Sequence, residues 1–288
     1  MSLNKDLTII IVLYNSSNII FECLKRLNKF KIIIVDNGNN KLILKELKNI
    51  KNIENIISKN KNLGFGNAIN FGFEYVRTDF FLVLNPDVIL DETSINELLS
   101  IAKKDINCAI AAPYIGTDED GYSMLPERGK SVIRTKDEMD CSKLLNNLKP
   151  DGNLCVQVTK GCALLINSKH FINVGMFTKK FFLFWEEVDL CRKFLNKKFS
   201  IIVSPKANAN HKAGTSANRN LFVYITRVFH SEKSPLYYFN VKRNSFSLFK
   251  IIIKYLFRSI TYFFILNFKN SLKNLIKLSA IISYMFFG

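Results

Sequence analysis

The run Phe80–Leu84, Phe-Phe-Leu-Val-Leu, is wholly apolar and stops at Asn85-Pro86-Asp87. Such a run reads as a buried strand, and the Asn-Pro pair ends it in a turn. Thr8–Leu13 and Lys31–Val35 are further β-branched apolar runs, and Ile53–Ser58 is a weaker one. Between them, Ile19–Leu27 and Lys41–Leu47 carry apolar residues at helical spacing. Strands alternating with helices in units of about 25–30 residues specify an α/β chain with parallel βαβ topology. Ligands of such sheets bind beyond the carboxyl ends of the strands.

Three polar clusters fall at those ends: Tyr14-Asn15, Asp36-Asn37 and Asn85 with Asp87. Asp36 could accept a hydrogen bond from the N3–H of a pyrimidine base, although Asp-Asn-Gly is also an ordinary turn sequence. Asn85 and Asp87, held on a stiff Pro-containing turn, could offer oxygens to a hard divalent cation. Residues 62–72, Asn-Leu-Gly-Phe-Gly-Asn-Ala-Ile-Asn-Phe-Gly, form a glycine-bearing loop entering a helix. They match neither the G-x-G-x-x-G fingerprint nor a P-loop, so dehydrogenase and P-loop readings lose their support.

Residues 91–110 predict a helix followed by a strand at Cys108–Ala112, and Gly116–Pro150 is polar and aperiodic, an expected insertion over a substrate. Strand-like runs surround Thr159-Lys160-Gly161. A second chemical centre is Phe181-Phe182-Leu183-Phe184-Trp185-Glu186-Glu187-Val188-Asp189, aromatic residues leading into three carboxylates at a helix start. Acids there suit the helix dipole, and crowded carboxylates beside aromatics also suit a raised pKa and general-base work. Ile201–Val203 predicts a strand, with His211 in the loop after it as a further metal ligand beside Asp87.

The order of these motifs resembles family 2 glycosyltransferases: Val12–Asn15, Val-Asp-Asn at 35–37, Asn-x-Gly-Phe-x-x-Ala-x-Asn-x-Gly at 62–72, Leu-Asn-Pro-Asp at 84–87, Glu-Glu-x-Asp at 186–189 and His211. The likeness covers about residues 7–217 and is strongest to the bacterial rhamnosyltransferase-like branch. It implies a GT-A fold, a Rossmann-like, mostly parallel sheet flanked by helices, and inverting sugar transfer from a nucleotide sugar. By resemblance the donor site comprises Tyr14, Asn15, Asp36, Asn37, Asn62, Gly64, Phe65, Asn70 and Asn85. Asp87 and His211 would serve Mg²⁺ or Mn²⁺, and Glu187, Glu186 and Asp189 form the acidic catalytic motif. The base is Glu187 or Glu186, because the family's usual Asp stands here as Glu187. Trp185 and Lys160 are acceptor-side candidates. The implied donor is dTDP-rhamnose or a UDP-sugar, and the acceptor a glycan or polyprenyl-diphosphate-linked sugar of capsule or O-antigen synthesis.

Charge divides the chain. Residues 212–288 hold twelve Lys or Arg and one acid, Glu232. Within 248–268, Lys250, Lys254 and Arg258 recur at four-residue spacing among Ile, Phe and Tyr, and Lys269, Lys273 and Lys277 repeat it. No 18-residue window lacks charge, so a basic amphipathic helical extension in the interface of an anionic membrane is expected rather than a spanning helix. The domains expected are 1–220 for transfer, with a nucleotide-sugar half to about 115 and an acceptor half from 116, and 221–288 for the extension. The six scattered cysteines read as reduced thiols. The expected location is cytoplasmic, peripheral to the inner face of the plasma membrane, with no nucleic-acid partner.

Two other readings differ in what they require. A sugar nucleotidylyltransferase needs a Gly- and Arg-bearing loop after the first strand, and Tyr14–Asn18 has neither. A catalytically decayed relative that binds membrane or nucleic acid explains the basic tail but leaves Asn-Pro-Asp and Glu-Glu-x-Asp without a role.

Overall fold

Leu7–Leu13 (β1), Lys31–Asp36 (β2), Ile53–Ser58 (β3) and Phe80–Leu84 (β4) lie side by side, all parallel, in the order β3-β2-β1-β4. The continuous apolar sequences of β1, β2 and β4 follow from burial on both faces, whereas β3, at the edge, is only partly buried. Ile9, Ile11, Ile32, Ile34, Leu82 and Leu84 enter one core, and Ile10, Val12, Ile33, Val35, Phe81 and Val83 enter the other. The first core is closed by Ile19–Leu24 (α1), Lys41–Leu47 (α2) and Glu92–Lys104 (α4). The second takes Phe65–Phe73 (α3), Ser168–Asn173 (α5) and Glu186–Asn196 (α6). Helices on both faces of a mixed sheet make an α/β architecture.

Beyond β4 the sheet changes direction. Ala163–Asn167 (β10) runs antiparallel between β4 and Cys108–Tyr114 (β6), and Ser200–His211 (β11) then pairs parallel with β6. Val88–Leu90 (β5) closes the edge antiparallel to β11. Leu154–Cys155 (β8) also pairs with β11, while Tyr122–Ser123 (β7) and Val158–Thr159 (β9) form a separate two-stranded ribbon.

Several boundaries differ from the sequence reading. The first helix stops at Leu24 rather than Leu27. The strand expected at Ile201–Val203 continues to His211, so His211 ends a strand and does not sit in a loop. Its second half alternates buried Ala207 and Ala209 with exposed Lys206 and Asn208, a period-2 pattern hidden by small and polar residues, and its register with β6 shifts between Ser204 and Asn208.

The computed structural model describes residues 5–16, 18–38, 41–115, 122–123, 151–212 and 220–287. The insertion expected at Gly116–Pro150 lies outside them, apart from β7. The chain divides into two compact units: Met1–Thr178 with Glu187–Asn218, and Lys179–Glu186 with Arg219–Gly288.

The second unit contains Leu221–Tyr238 (α7), Phe246–Phe264 (α8) and Phe268–Phe287 (α9). Leu248, Ile281 and Tyr284 form its buried centre. Helices α8 and α9 make a hairpin pinned by reciprocal bonds: Ser259 Oγ donates to the Ser271 carbonyl (3.1 Å), and Ser271 Oγ donates to the Ser259 carbonyl (2.9 Å). The Lys179–Glu186 segment joins it through Ser234 Oγ donating to the Leu183 carbonyl (2.8 Å) and Phe182 stacked on His230. Among the described residues, no helix is long and apolar enough to cross a membrane.

Candidate active site

The carboxyl ends of β1, β2 and β4 carry the polar residues expected there. Asp36, the last residue of β2, is buried, and its Oδ1 accepts from the Gly38 N–H (3.0 Å). This turn abuts the end of β1 closely: a Cβ on Gly38 would lie 2.5 Å from the main-chain nitrogen of Asn15. Asn15 itself has a left-handed backbone (φ 46°), a conformation Asn tolerates better than most residues. Tyr14 is partly exposed beside it.

Asn37 and Asn70 are committed to protein contacts. Asn37 donates from Nδ2 to the Gly64 carbonyl (3.1 Å) and accepts at Oδ1 from the Leu63 N–H (3.2 Å). It thereby ties β2 to the glycine loop, where Asn62 Oδ1 accepts from the Gly64 N–H (2.9 Å). Gly64 has φ 78°, which a side chain would resist, and it opens α3 immediately before Phe65. Asn70 donates from Nδ2 to the Phe177 carbonyl (2.8 Å) and accepts at Oδ1 from the Phe177 N–H (3.0 Å). Its amide thus clamps α3 to the Phe177 main chain.

The Asn-Pro-Asp turn leads from β4 into β5. Asn85 N–H donates to the Cys162 carbonyl (2.8 Å), and Val88 N–H donates to the Asn85 carbonyl (3.1 Å). Asp87 is 1% exposed, and its Oδ1 lies 3.6 Å from His211 Nε2. The register explains this meeting: Val88 pairs with His211, and Lys212 N–H donates to the Asp87 carbonyl (3.0 Å). A carboxylate oxygen and an imidazole nitrogen this close can share one divalent ion, leaving other positions for water and phosphate oxygens. The donor set therefore fits Mg²⁺ or Mn²⁺. Among the described residues there is no group of three His, Cys, Asp or Glu placed for a metal.

The acidic centre approaches this rim through a glycine. Cys162, whose carbonyl accepts from Asn85, follows Gly161, and a Cβ on Gly161 would lie 3.4 Å from Glu187 Cβ. Lys160 precedes that glycine. Burial raises the Glu187 carboxyl above its ordinary range, against a smaller opposing effect of a hydrogen bond from its own main chain. Burial likewise pushes the Cys191 thiol, one turn along α6, up to about 12, which leaves it inert.

Asp189 occupies a different kind of position. It is buried, Thr178 Oγ1 donates to its Oδ2 (2.5 Å), and Arg192 donates to its Oδ1 (2.5 Å). Thr178 and Arg192 were not singled out in the sequence, since neither belongs to a recognisable motif. Glu186 is buried and falls in the second unit. Trp185 packs on Tyr238 and Phe239 there, with ring centroids 5.0 and 5.4 Å away. Phe184 and Trp185 both have left-handed backbones, φ 65° and 70°, an uncommon strain for bulky residues immediately before α6.

The described sheet, with polar residues at the carboxyl ends of its parallel strands, defines a GT-A α/β glycosyltransferase fold. The family model for glycosyl transferase family 2 matches residues 8–169, more than half of the chain, and the protein belongs to that family. Its relatives include the low-salt glycan biosynthesis hexosyltransferase Agl10 of Haloferax volcanii, 26% identical over 228 residues, 74% of this chain and 69% of Agl10. The rhamnosyltransferase WbbL of Escherichia coli K12 is 25% identical over 232 residues, 74% of this chain and 86% of WbbL. Among solved structures, GalNAc-T7 with UDP, GalNAc and Mn²⁺ superposes with TM-score 0.57 at 15% identity, over 72% of this chain and 43% of that one. The mannosyltransferase PcManGT of Pyrobaculum calidifontis, with GDP-Man and Mn²⁺, gives TM-score 0.54 at 12% identity, over 80% of this chain and 64% of its own. The chain thus spans less than two thirds of either solved neighbour, and at these identities the likeness concerns the fold.

Proposed function

We propose that this family 2 glycosyltransferase moves a sugar from a nucleoside diphosphate sugar to an acceptor hydroxyl with inversion at the anomeric carbon. The observation that carries this reading is the Asp87–His211 pair at the end of β4, linked through Cys162 and Gly161 to Glu187. Asp36 receives the base, and the Asn62–Asn70 loop shapes the wall of the donor pocket. Asn37 and Asn70 hold that wall in place through their amides. Asp87 and His211 would hold the cation, Mg²⁺ or Mn²⁺, which would neutralise charge on the diphosphate.

Glu187 takes the proton of the acceptor hydroxyl as its oxygen attacks the anomeric carbon from the face opposite the diphosphate. The bond to the diphosphate breaks, and the electron pair leaves with that group. Glu187 is favoured over Glu186 as base because it is the acid that packs against Gly161. Its raised pKa places it nearer the operating pH, where a general base works best. Asp189, engaged by Thr178 and Arg192, positions α6. Trp185 and Lys160 are read as acceptor-side residues.

The donor is dTDP-rhamnose or a UDP-sugar, and the acceptor a surface glycan on a lipid carrier; the rhamnosyltransferase WbbL and the glycan-biosynthesis hexosyltransferase Agl10 among the relatives support transfer of a sugar of this class. The C-terminal unit attaches the enzyme to the inner face of an anionic membrane. The twelve basic residues against one acid over residues 212–288, and the exposed Phe249, Ile253, Phe257 and Ile260 of α8, support this attachment.

Thermal-shift binding of UDP, dTDP, GDP and CDP, each with and without Mn²⁺, tests the reading. A ligand that binds only the folded state raises its melting temperature. A metal-dependent shift with one pyrimidine diphosphate is expected. A folded sample that responds to none of them removes the transferase assignment for these residues.

A further inference from the structure

In the second unit, positive charge gathers where no carboxylate among the described residues pairs with it. Lys180 Nζ and Lys233 Nζ each lie 5.6 Å from the centre of the Tyr237 ring. Tyr237 meets Tyr284 edge-on at 5.1 Å, and the Arg243 guanidinium lies 6.0 Å from the Tyr284 ring. Three cations from three chain segments therefore surround one pair of tyrosines. Lys233 is partly buried and, among the described residues, donates only to a neutral hydroxyl, Ser283 Oγ (2.9 Å). Glu232, the one acid of residues 219–288, is already occupied by Lys277 (2.9 Å) and by the Tyr255 hydroxyl. The Tyr237 hydroxyl makes no hydrogen bond among the described residues, whereas that of Tyr284 donates to the Val241 carbonyl (2.5 Å).

A partly buried ammonium answered only by a neutral hydroxyl, as Lys233 is, carries a desolvation cost that an incoming anion would relieve. Burial already pulls the Lys233 ammonium below its ordinary range. His230, drawn down to about 4 by burial and by the charge of Lys233, is neutral at neutral pH and adds no cation. Three cationic donors with one free hydroxyl suit phosphate oxygens.

The surroundings indicate what carries the phosphate. Because Leu248 packs on Ile281 and Tyr284, while Ser259 bonds Ser271, the cluster stands at the open end of the α8–α9 hairpin. Phe246, Phe249, Phe286 and Phe287 at that end are all more than half exposed, and exposed apolar residues continue along α8 to Phe264. A soluble sugar phosphate has no use for such a surface, but a lipid does.

We propose that Lys180, Lys233, Arg243 and the Tyr237 hydroxyl form a binding site for the phosphate or diphosphate of a lipid whose chain lies along the exposed apolar face of α8. The phosphate belongs either to a membrane phospholipid or to the lipid carrier of the acceptor. Only the second source rests on the transferase reading.

The test is flotation of the full chain with three kinds of vesicle: phosphatidylcholine alone, phosphatidylcholine with phosphatidylglycerol, and phosphatidylcholine with a polyprenyl diphosphate at matched charge. Binding to both anionic vesicles above the neutral one is expected. Preference for the polyprenyl diphosphate identifies the carrier, and equal binding identifies the phospholipid. Lys180 and Arg243 are exposed, so the double variant Lys180→Gln, Arg243→Gln keeps its fold, verified by an unchanged melting temperature and nucleotide shift. Its affinity for anionic vesicles is expected to fall by about tenfold or more, the loss of two charge-assisted contacts. Wild-type affinity in that variant, or equal binding to neutral vesicles, overturns the proposal. Because vesicle binding is read without a sugar donor, its failure is separate from failure of the transferase assignment.

Discussion

Asp87 and His211 meet at 3.6 Å because β5 and β11 pair antiparallel with Val88 opposite His211. The sheet edge, not the local sequence, creates this two-residue donor set. If the pair holds the cation, Asp87→Asn and His211→Ala each abolish the Mn²⁺-dependent part of the nucleotide thermal shift. Any metal-independent shift from base recognition at Asp36 persists. A full Mn²⁺ response in both variants would contradict the assignment.

Glu187→Gln is expected to lower turnover by roughly a hundred- to ten-thousand-fold, the range for losing a general base, while donor binding is spared. The acid limb of the wild-type rate profile should lie above the ordinary Glu range, since burial raises this carboxyl. For stability the sign is opposite to that of a salt-bridged acid. The unfolded chain releases the proton first, so native stability falls as pH rises from the unfolded towards the folded pKa. Glu187→Gln lacks that penalty, and its melting temperature at neutral pH should match or exceed the wild type. Normal turnover in this variant removes Glu187 from the role.

The Asn70 amide satisfies both main-chain groups of Phe177. Asn70→Ala leaves a donor and an acceptor without partners, at a cost of about 1–3 kcal/mol each. A lowered urea midpoint, with donor affinity weakened only through the loosened wall, is the expected result. An unchanged midpoint with lost donor affinity would instead make Asn70 a direct ligand.

Gly38→Ala places a methyl 2.5 Å from the Asn15 nitrogen, so the β1 and β2 ends must separate. Overpacking of this kind costs about 1–3 kcal/mol. Because Asp36 sits in the same turn, nucleotide affinity should fall with stability. Wild-type stability and affinity together would show that the two turns are not held as closely as described.

The amino-acid sequence determined the parallel half of the sheet. Phe80–Leu84 has the boundaries its apolar run defines, and the runs Thr8–Leu13 and Lys31–Val35 each fall within one residue of β1 and β2, because burial on both faces demands continuous apolar residues. It also determined the chemical residue types at the strand ends, where turn residues and carboxylates stand out against those runs. The edge strand Val88–Leu90 and the second half of β11 were hidden, since three residues make no period and Ala-Asn-Ala-Asn carries little hydrophobic contrast. Only tertiary pairing decided that His211 faces Asp87, and that Asn70 serves the Phe177 main chain. Only packing decided that Gly161 admits Glu187 to the rim, and that Lys180, Lys233 and Arg243 gather round two tyrosines. These contacts join residues far apart in the chain, and no local propensity encodes the register that brings them together.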